Sequence, residues 1–78
     1  NNFKPLPQIL ENVIVKDKNI IESYACKNAI RKANKVMSNK GRLLIRKSGT
    51  ESKIRIMGES YDKKLIHQSI KIIKNSIK

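Results

Sequence analysis

The hydrophobic positions of this chain alternate between two periods. Residues 8–16 are rich in β-branched side chains and read as a first strand, with Val13 and Val15 on one face and Ile14 on the other. Glu11 interrupts that alternation. From Asn19 the spacing becomes helical: Ala25, Cys26, Ala29, Ile30, Ala33, Val36 and Met37 recur at steps of three and four, while Lys27, Arg31, Lys32 and Lys35 fall mostly on the opposite side. Asn19 with Glu22 three residues on predicts the N-terminal cap, and Gly41 predicts the C-terminal one. Residues 42–47 and 53–59 return to alternation. Leu43 and Ile45 share a face of one strand, Ile54 and Ile56 a face of the next. A last stripe of Leu65, Ile66, Ser69, Ile70, Ile73 and Ile77 predicts a helix capped by Ser60, with Asp62 in its first turn and Lys71, Lys74 and Lys78 towards its end.

The resulting order, β-α-β-β-α, predicts an α+β fold with a small antiparallel sheet and both helices on one face. Placing the first strand beside the third keeps every pair antiparallel and gives the strand order 2-3-1. The other face would then carry Ile14, Leu44, Arg55 and Met57, an apolar surface suited to a neighbouring domain. Residues 1–7 hold both prolines, Pro5 and Pro7, and read as an interdomain linker ahead of a domain spanning 8–78. Gly58 predicts a bulge or an early end to the third strand.

Composition narrows the function classes. With 78 residues the chain is expected to be one small domain, and its opening Asn1, not a natural start residue, leads to the expectation of a fragment of something longer. The balance of 18 basic against 6 acidic residues gives a net charge of +12, which suits anionic partners. The single cysteine, Cys26, excludes an internal disulfide and reads as a buried thiol. One cysteine and one histidine are too few for a structural zinc site, and His67 falls on the solvent side of its helix. No apolar run is long enough to span a membrane and no signal peptide is evident, so a cytoplasmic setting is expected. No serine or tyrosine has a histidine partner in view, and the carboxylates do not cluster. The expectation is binding without chemistry, with no catalytic residue and no metal ligand in the chain.

The binding chemistry concentrates between the second and third strands, in Arg46-Lys47-Ser48-Gly49-Thr50-Glu51-Ser52. Arg46 offers a planar, permanently charged fork. Ser48 and Thr50 offer hydroxyls, and Gly49 allows φ > 0 and close approach of a ligand to the backbone. Consecutive N–H groups in such a turn form an anion-binding nest. The alternative for these residues is an ordinary hairpin loop. For the chain as a whole, the charge leaves open an RNA-binding module, although no aromatic lies on a strand to stack bases.

The stretch Gly41-Arg42-Leu43-Leu44-Ile45-Arg46-Lys47-Ser48-Gly49-Thr50-Glu51 resembles the phosphate-binding signature of the α-D-phosphohexomutases. Lys47 and the following Ile54-Arg55-Ile56-Met57 resemble the glucosamine branch more than the mannose/glucose branch. The resemblance extends over the whole chain and implies the fourth, C-terminal domain of a four-domain enzyme. That enzyme would interconvert the 6- and 1-phosphates of a hexosamine, with its phosphoserine and Mg2+ in the other three domains, so this chain alone would be inactive. The resemblance assigns substrate phosphate to Arg46, Ser48, Gly49 and Thr50, with Lys47 and Arg55 as secondary contacts. The expected partners are a phosphosugar and the other three domains, with neither membrane nor nucleic acid. Ser52 departs from the family's usual proline and is expected to loosen the exit from the loop.

Overall fold

A computed structural model describes residues 6–77. Three strands, β1 (Gln8–Ile14), β2 (Gly41–Lys47) and β3 (Lys53–Ser60), form an antiparallel sheet in the order β1-β3-β2. The two helices, α1 (Tyr24–Met37) and α2 (Lys63–Ile77), share a core with the sheet. The α+β class and the strand order 2-3-1 agree with expectation. Of the proposed linker, residues 1–5 lie outside the described residues, as does Lys78. The Pro7 carbonyl accepts a hydrogen bond from Ser60 N–H at 3.1 Å.

The central strand fixes the register. Ile54 and Ile56 are fully buried against Ala33, Met37, Ile66, Ile70 and Ile73, so β3 has one dry face. Val13 and Ile45 flank Ile54 and Ile56 on that same face. Glu11 also faces inward, where Lys74 near the end of α2 pairs with it at 2.8 Å. That partner accounts for a carboxylate in an otherwise apolar row. Cys26 is buried and His67 exposed, as expected.

Several local expectations need correction. The first strand ends at Ile14, not residue 16. The α-helix does not begin at Asn19. Lys18–Glu22 is a 3-10 helix capped by Asp17, whose carboxylate accepts from Asn19 N–H. Ser23 then caps α1 by accepting from Cys26 N–H at 3.2 Å. This later start leaves Ala25 exposed in the first turn. The helix ends at Ser38, which takes φ 52°, and not at Gly41. Gly41 instead opens β2, where a side chain would collide with the Glu59 carbonyl. Ser60 ends β3 and does not cap α2: its hydroxyl donates to the Lys40 carbonyl and accepts from Asp62 N–H. Asp62 does the capping, accepting from Lys64 N–H at 3.0 Å.

Gly58 neither bulges nor ends its strand. It pairs in register with Ile9 and Leu43. A Cβ at this position would lie 2.6 Å from Cγ2 of the buried Ile66, so the glycine is what lets α2 seat against the sheet. Gly58→Ala is therefore expected to overpack the core and lower stability by about 1–3 kcal/mol. Urea unfolding would show this as a lower midpoint at unchanged slope, whereas an unchanged midpoint would mean that Ile66 yields freely.

Candidate phosphate-binding site

The face of the sheet away from the helices is built in rows. Strand alternation turns Gln8, Leu10 and Asn12 of β1, Arg42, Leu44 and Arg46 of β2, and Arg55, Met57 and Glu59 of β3 outward. The register then aligns Gln8–Glu59–Arg42, Leu10–Met57–Leu44 and Asn12–Arg55–Arg46. In the first row Glu59 receives hydrogen bonds from Gln8 and Arg42, both at 2.8 Å. These bonds, Gln8's before Arg42's, hold its carboxyl below the ordinary glutamate value. The second row is apolar and partly exposed. The third sets two arginines at directly paired positions on one face. Neither has a hydrogen-bond or ion-pair partner among the described residues. Like charges placed so repel one another, and an anion between them removes the penalty.

The loop lies at the end of this row. Ser48 N–H donates to the Lys53 carbonyl at 3.0 Å and closes the hairpin. Ser48 Oγ accepts from Glu51 N–H at 3.2 Å, which bends the loop and leaves the hydroxyl proton free to donate. Gly49 and Thr50 make no hydrogen bond among the described residues, so two successive backbone donors and the Thr50 hydroxyl are available. Arg46, Ser48, Gly49 and Arg55 line one pocket of about 250 Å3, together with Asn12 and Lys53. Thr50 is exposed at the loop tip, outside that lining. No glycine takes positive φ among the described residues, which corrects the backbone role expected of Gly49. Nothing lies within 4 Å of where its Cβ would be, so its contribution is open space above the backbone.

Lys47 touches the rim, but its ammonium turns to the other side of the sheet. There it pairs with Glu22 at 2.9 Å and donates to Asn19 Oδ1 at 3.2 Å. Lys18 Nζ donates to the Ser48 carbonyl at 2.7 Å, and Val15 N–H donates to the Ser52 carbonyl at 2.9 Å. The segment from Val15 to Glu22 thus backs the loop, and the exit at Ser52 is tied down without a proline. A larger hollow, about 680 Å3, lies at the far end of the sheet. Its Arg42 and Glu59 are paired with each other and Asp62 is engaged at α2, so volume does not decide between the two.

Sequence reasoning missed two residues here. Asn12 was within reach: alternation and the 2-3-1 order put it beside Arg55. Lys18 carried no signal, because its contact spans 30 residues and ends on a backbone carbonyl.

Comparison with known proteins gives the class of this domain. The family profile described as "Phosphoglucomutase/phosphomannomutase, C-terminal domain" matches residues 10–75, and the chain belongs to that family. Phosphoglucosamine mutase of Pelagibacter ubique is 54% identical over 78 residues, which is 100% of this chain and 18% of the relative. Phosphoglucosamine mutase of Bartonella quintana is 47% identical over 64 residues, 82% of this chain and 14% of the relative. Among solved structures, an N-acetylglucosamine-phosphate mutase of the α-D-phosphohexomutase superfamily, in its substrate complex, aligns with TM-score 0.73 and 28% identity, over 94% of this chain and 15% of that one. Aspergillus fumigatus N-acetylphosphoglucosamine mutase, in complex with GlcNAc-6P and magnesium, shares the fold at TM-score 0.71 and 23% identity, over 94% of this chain and 16% of that one. The chain thus spans less than a fifth of the length of these relatives.

The clasp behind the loop has a measurable signature. The hydrogen bond from Lys47, then its charge, holds the Glu22 carboxyl below the ordinary glutamate value. A lowered carboxylate pKa stabilises the folded chain above the ordinary glutamate range, and that contribution is lost as pH falls through the lowered value. Lys47→Met is expected to return the Glu22 titration to the ordinary range in carboxyl-carbon NMR and to shrink the acid-side loss of stability. An unmoved titration would mean that the clasp does not form in solution.

Proposed function

We propose that this chain is the domain of a longer phosphosugar mutase that holds the substrate's phosphate, and that the longer protein interconverts glucosamine 6-phosphate and glucosamine 1-phosphate. The observation that carries the proposal is the arginine pair, Arg46 and Arg55, which has no side-chain partner among the described residues and shares one pocket with Ser48 and Gly49, with the Thr50 donors at the loop tip. Arg46 takes a phosphate in a forked grip. Arg55 closes the other side, and the loop supplies N–H and O–H donors. Lys47, held by Glu22, contributes attraction at longer range. Anchoring a phosphate remote from the reacting end converts binding energy into position at that end.

The reacting serine belongs to the rest of the longer protein. Magnesium belongs there too, because the described residues do not fit it. They contain no cluster of three histidine, cysteine or acidic side chains, and Glu11, Glu22, Glu51 and Glu59 each pair with a cation. The apolar row Leu10–Met57–Leu44 is read as a surface for the other domains. A cytoplasmic setting suits the free thiol of Cys26, and no helix among the described residues is long and apolar enough to cross a membrane. An RNA-binding role is disfavoured, because the three outward rows contain no aromatic ring on which a base could stack.

Inorganic phosphate or glucosamine 6-phosphate at millimolar concentration is expected to shift the amide signals of Ser48, Gly49 and Thr50. The binding should weaken as salt is raised. Arg46→Ala should abolish these shifts, and in the longer enzyme it should cost about 2–5 kcal/mol in kcat/KM. Arg46→Lys keeps the charge without the fork and should recover only part of the loss. Silent loop amides in the unsubstituted chain, or a near-normal rate for the Arg46→Ala enzyme, would overturn the assignment.

A further inference from the structure

We infer that Lys18 is a positioning residue for the phosphate loop: by bonding the Ser48 carbonyl from behind, it aims the Gly49 N–H into the site. The inference rests on the phosphate-holding role proposed above and adds a residue to it.

The argument starts from the peptide unit. The Ser48 carbonyl and the Gly49 N–H belong to one planar group, and in the trans form they point to opposite sides. No cis peptide occurs among the described residues. Whatever holds the carbonyl therefore sets the direction of the N–H. Here the holder is the Lys18 ammonium, at 2.7 Å, in a partly buried contact. Lys18 is not among the residues lining the pocket, whereas Ser48 and Gly49 are. The cation thus bonds the peptide from outside the pocket that Ser48 and Gly49 line.

Two further features support the assignment. The Gly49 N–H has no partner among the described residues, so nothing else competes for its orientation. The segment that carries Lys18 is itself anchored. Asp17 caps its 3-10 turn, Lys47 bonds Asn19 and Glu22 within it, and Val15 N–H holds the Ser52 carbonyl. Lys18 is therefore presented from a braced support. A charged donor on the carbonyl also polarises the amide and makes its N–H a stronger donor to an anion. Lys18 improves the site without touching the ligand.

The test is a phosphate titration of the 78-residue chain by amide NMR, with Lys18→Met, Lys18→Arg and Lys16→Met beside the unsubstituted protein. Lys16 is exposed and makes no hydrogen bond among the described residues, so its removal controls for net charge. Lys18→Met is expected to move the Gly49 amide signal before any ligand is added and to weaken phosphate binding by about tenfold. The Ile54 and Ile56 amides should stay in place and report an intact core. Lys18→Arg should restore most of the affinity, and Lys16→Met should change it little. If loop amides respond to phosphate but Lys18→Met binds as well as the unsubstituted chain, the positioning role is wrong and the site stands. Equal weakening by Lys16→Met would reduce Lys18 to a matter of net charge and overturn the inference. If the unsubstituted loop ignores phosphate, both readings fall together.

Discussion

The candidate site depends on one placement: two arginines held at paired positions on neighbouring strands. Isolated arginines on a solvated surface would swing apart. Arg46 and Arg55 are kept together because their backbones are paired, and the pairing is set from the opposite side of the sheet. Ile54 and Ile56 flank Arg55 in sequence and are fully buried. A slip of one residue would turn Arg55 into the core and the isoleucines into water. The core thus holds the two strand positions in place, and repulsion between the like charges is the cost of the proposed anion site. An anion that bridges the pair relieves that cost, so binding should stabilise the fold as well as fill the site.

Periodicity made the framework legible. Alternation at Leu43, Ile45, Ile54 and Ile56 marks two strands joined by a wide hairpin loop, and the antiparallel constraint on a third strand leads to the observed order. The caps were less readable, because a capping motif is a local pattern while its side chains have distant suitors. Asn19 and Glu22 resemble a helix start, yet Lys47, from a strand 25 residues beyond Glu22, engages both. Ser60 resembles a cap, yet the Lys40 carbonyl takes its proton. The glycines misled for a related reason. Gly41 and Gly58 were read as punctuation of the backbone, but each marks a point where another part of the fold passes too close for a side chain.

The same distinction divides the site. Arg46, Ser48, Gly49 and Thr50 lie in one short stretch, so their chemistry could be read from the chain directly. Asn12 joins them only through strand order, and Lys18 only through the path of the connection between β1 and α1. The proposed donors of the loop were local and legible. Those that shape and back the loop were long-range, and nothing in residue type announced them.

Consecutive residues at the end of β2 show how the fold separates these two duties. Arg46 and Lys47 both carry positive charge, and the strand turns them to opposite faces. On the helix side Lys47 meets Glu22 and Asn19 and becomes part of the brace. On the outer side Arg46 is paired in register with Arg55, and its side chain has no partner among the described residues. The residue types match the duties. A lysine ammonium is a flexible point charge, well suited to bridging a carboxylate and an amide across a gap. A guanidinium is a rigid fork, suited to a planar pair of phosphate oxygens. Overall charge therefore says little about this site. The chain has 18 basic residues, and what marks out Arg46 and Arg55 is that the fold sets them at directly paired positions on neighbouring strands, with no counter-ion among the described residues.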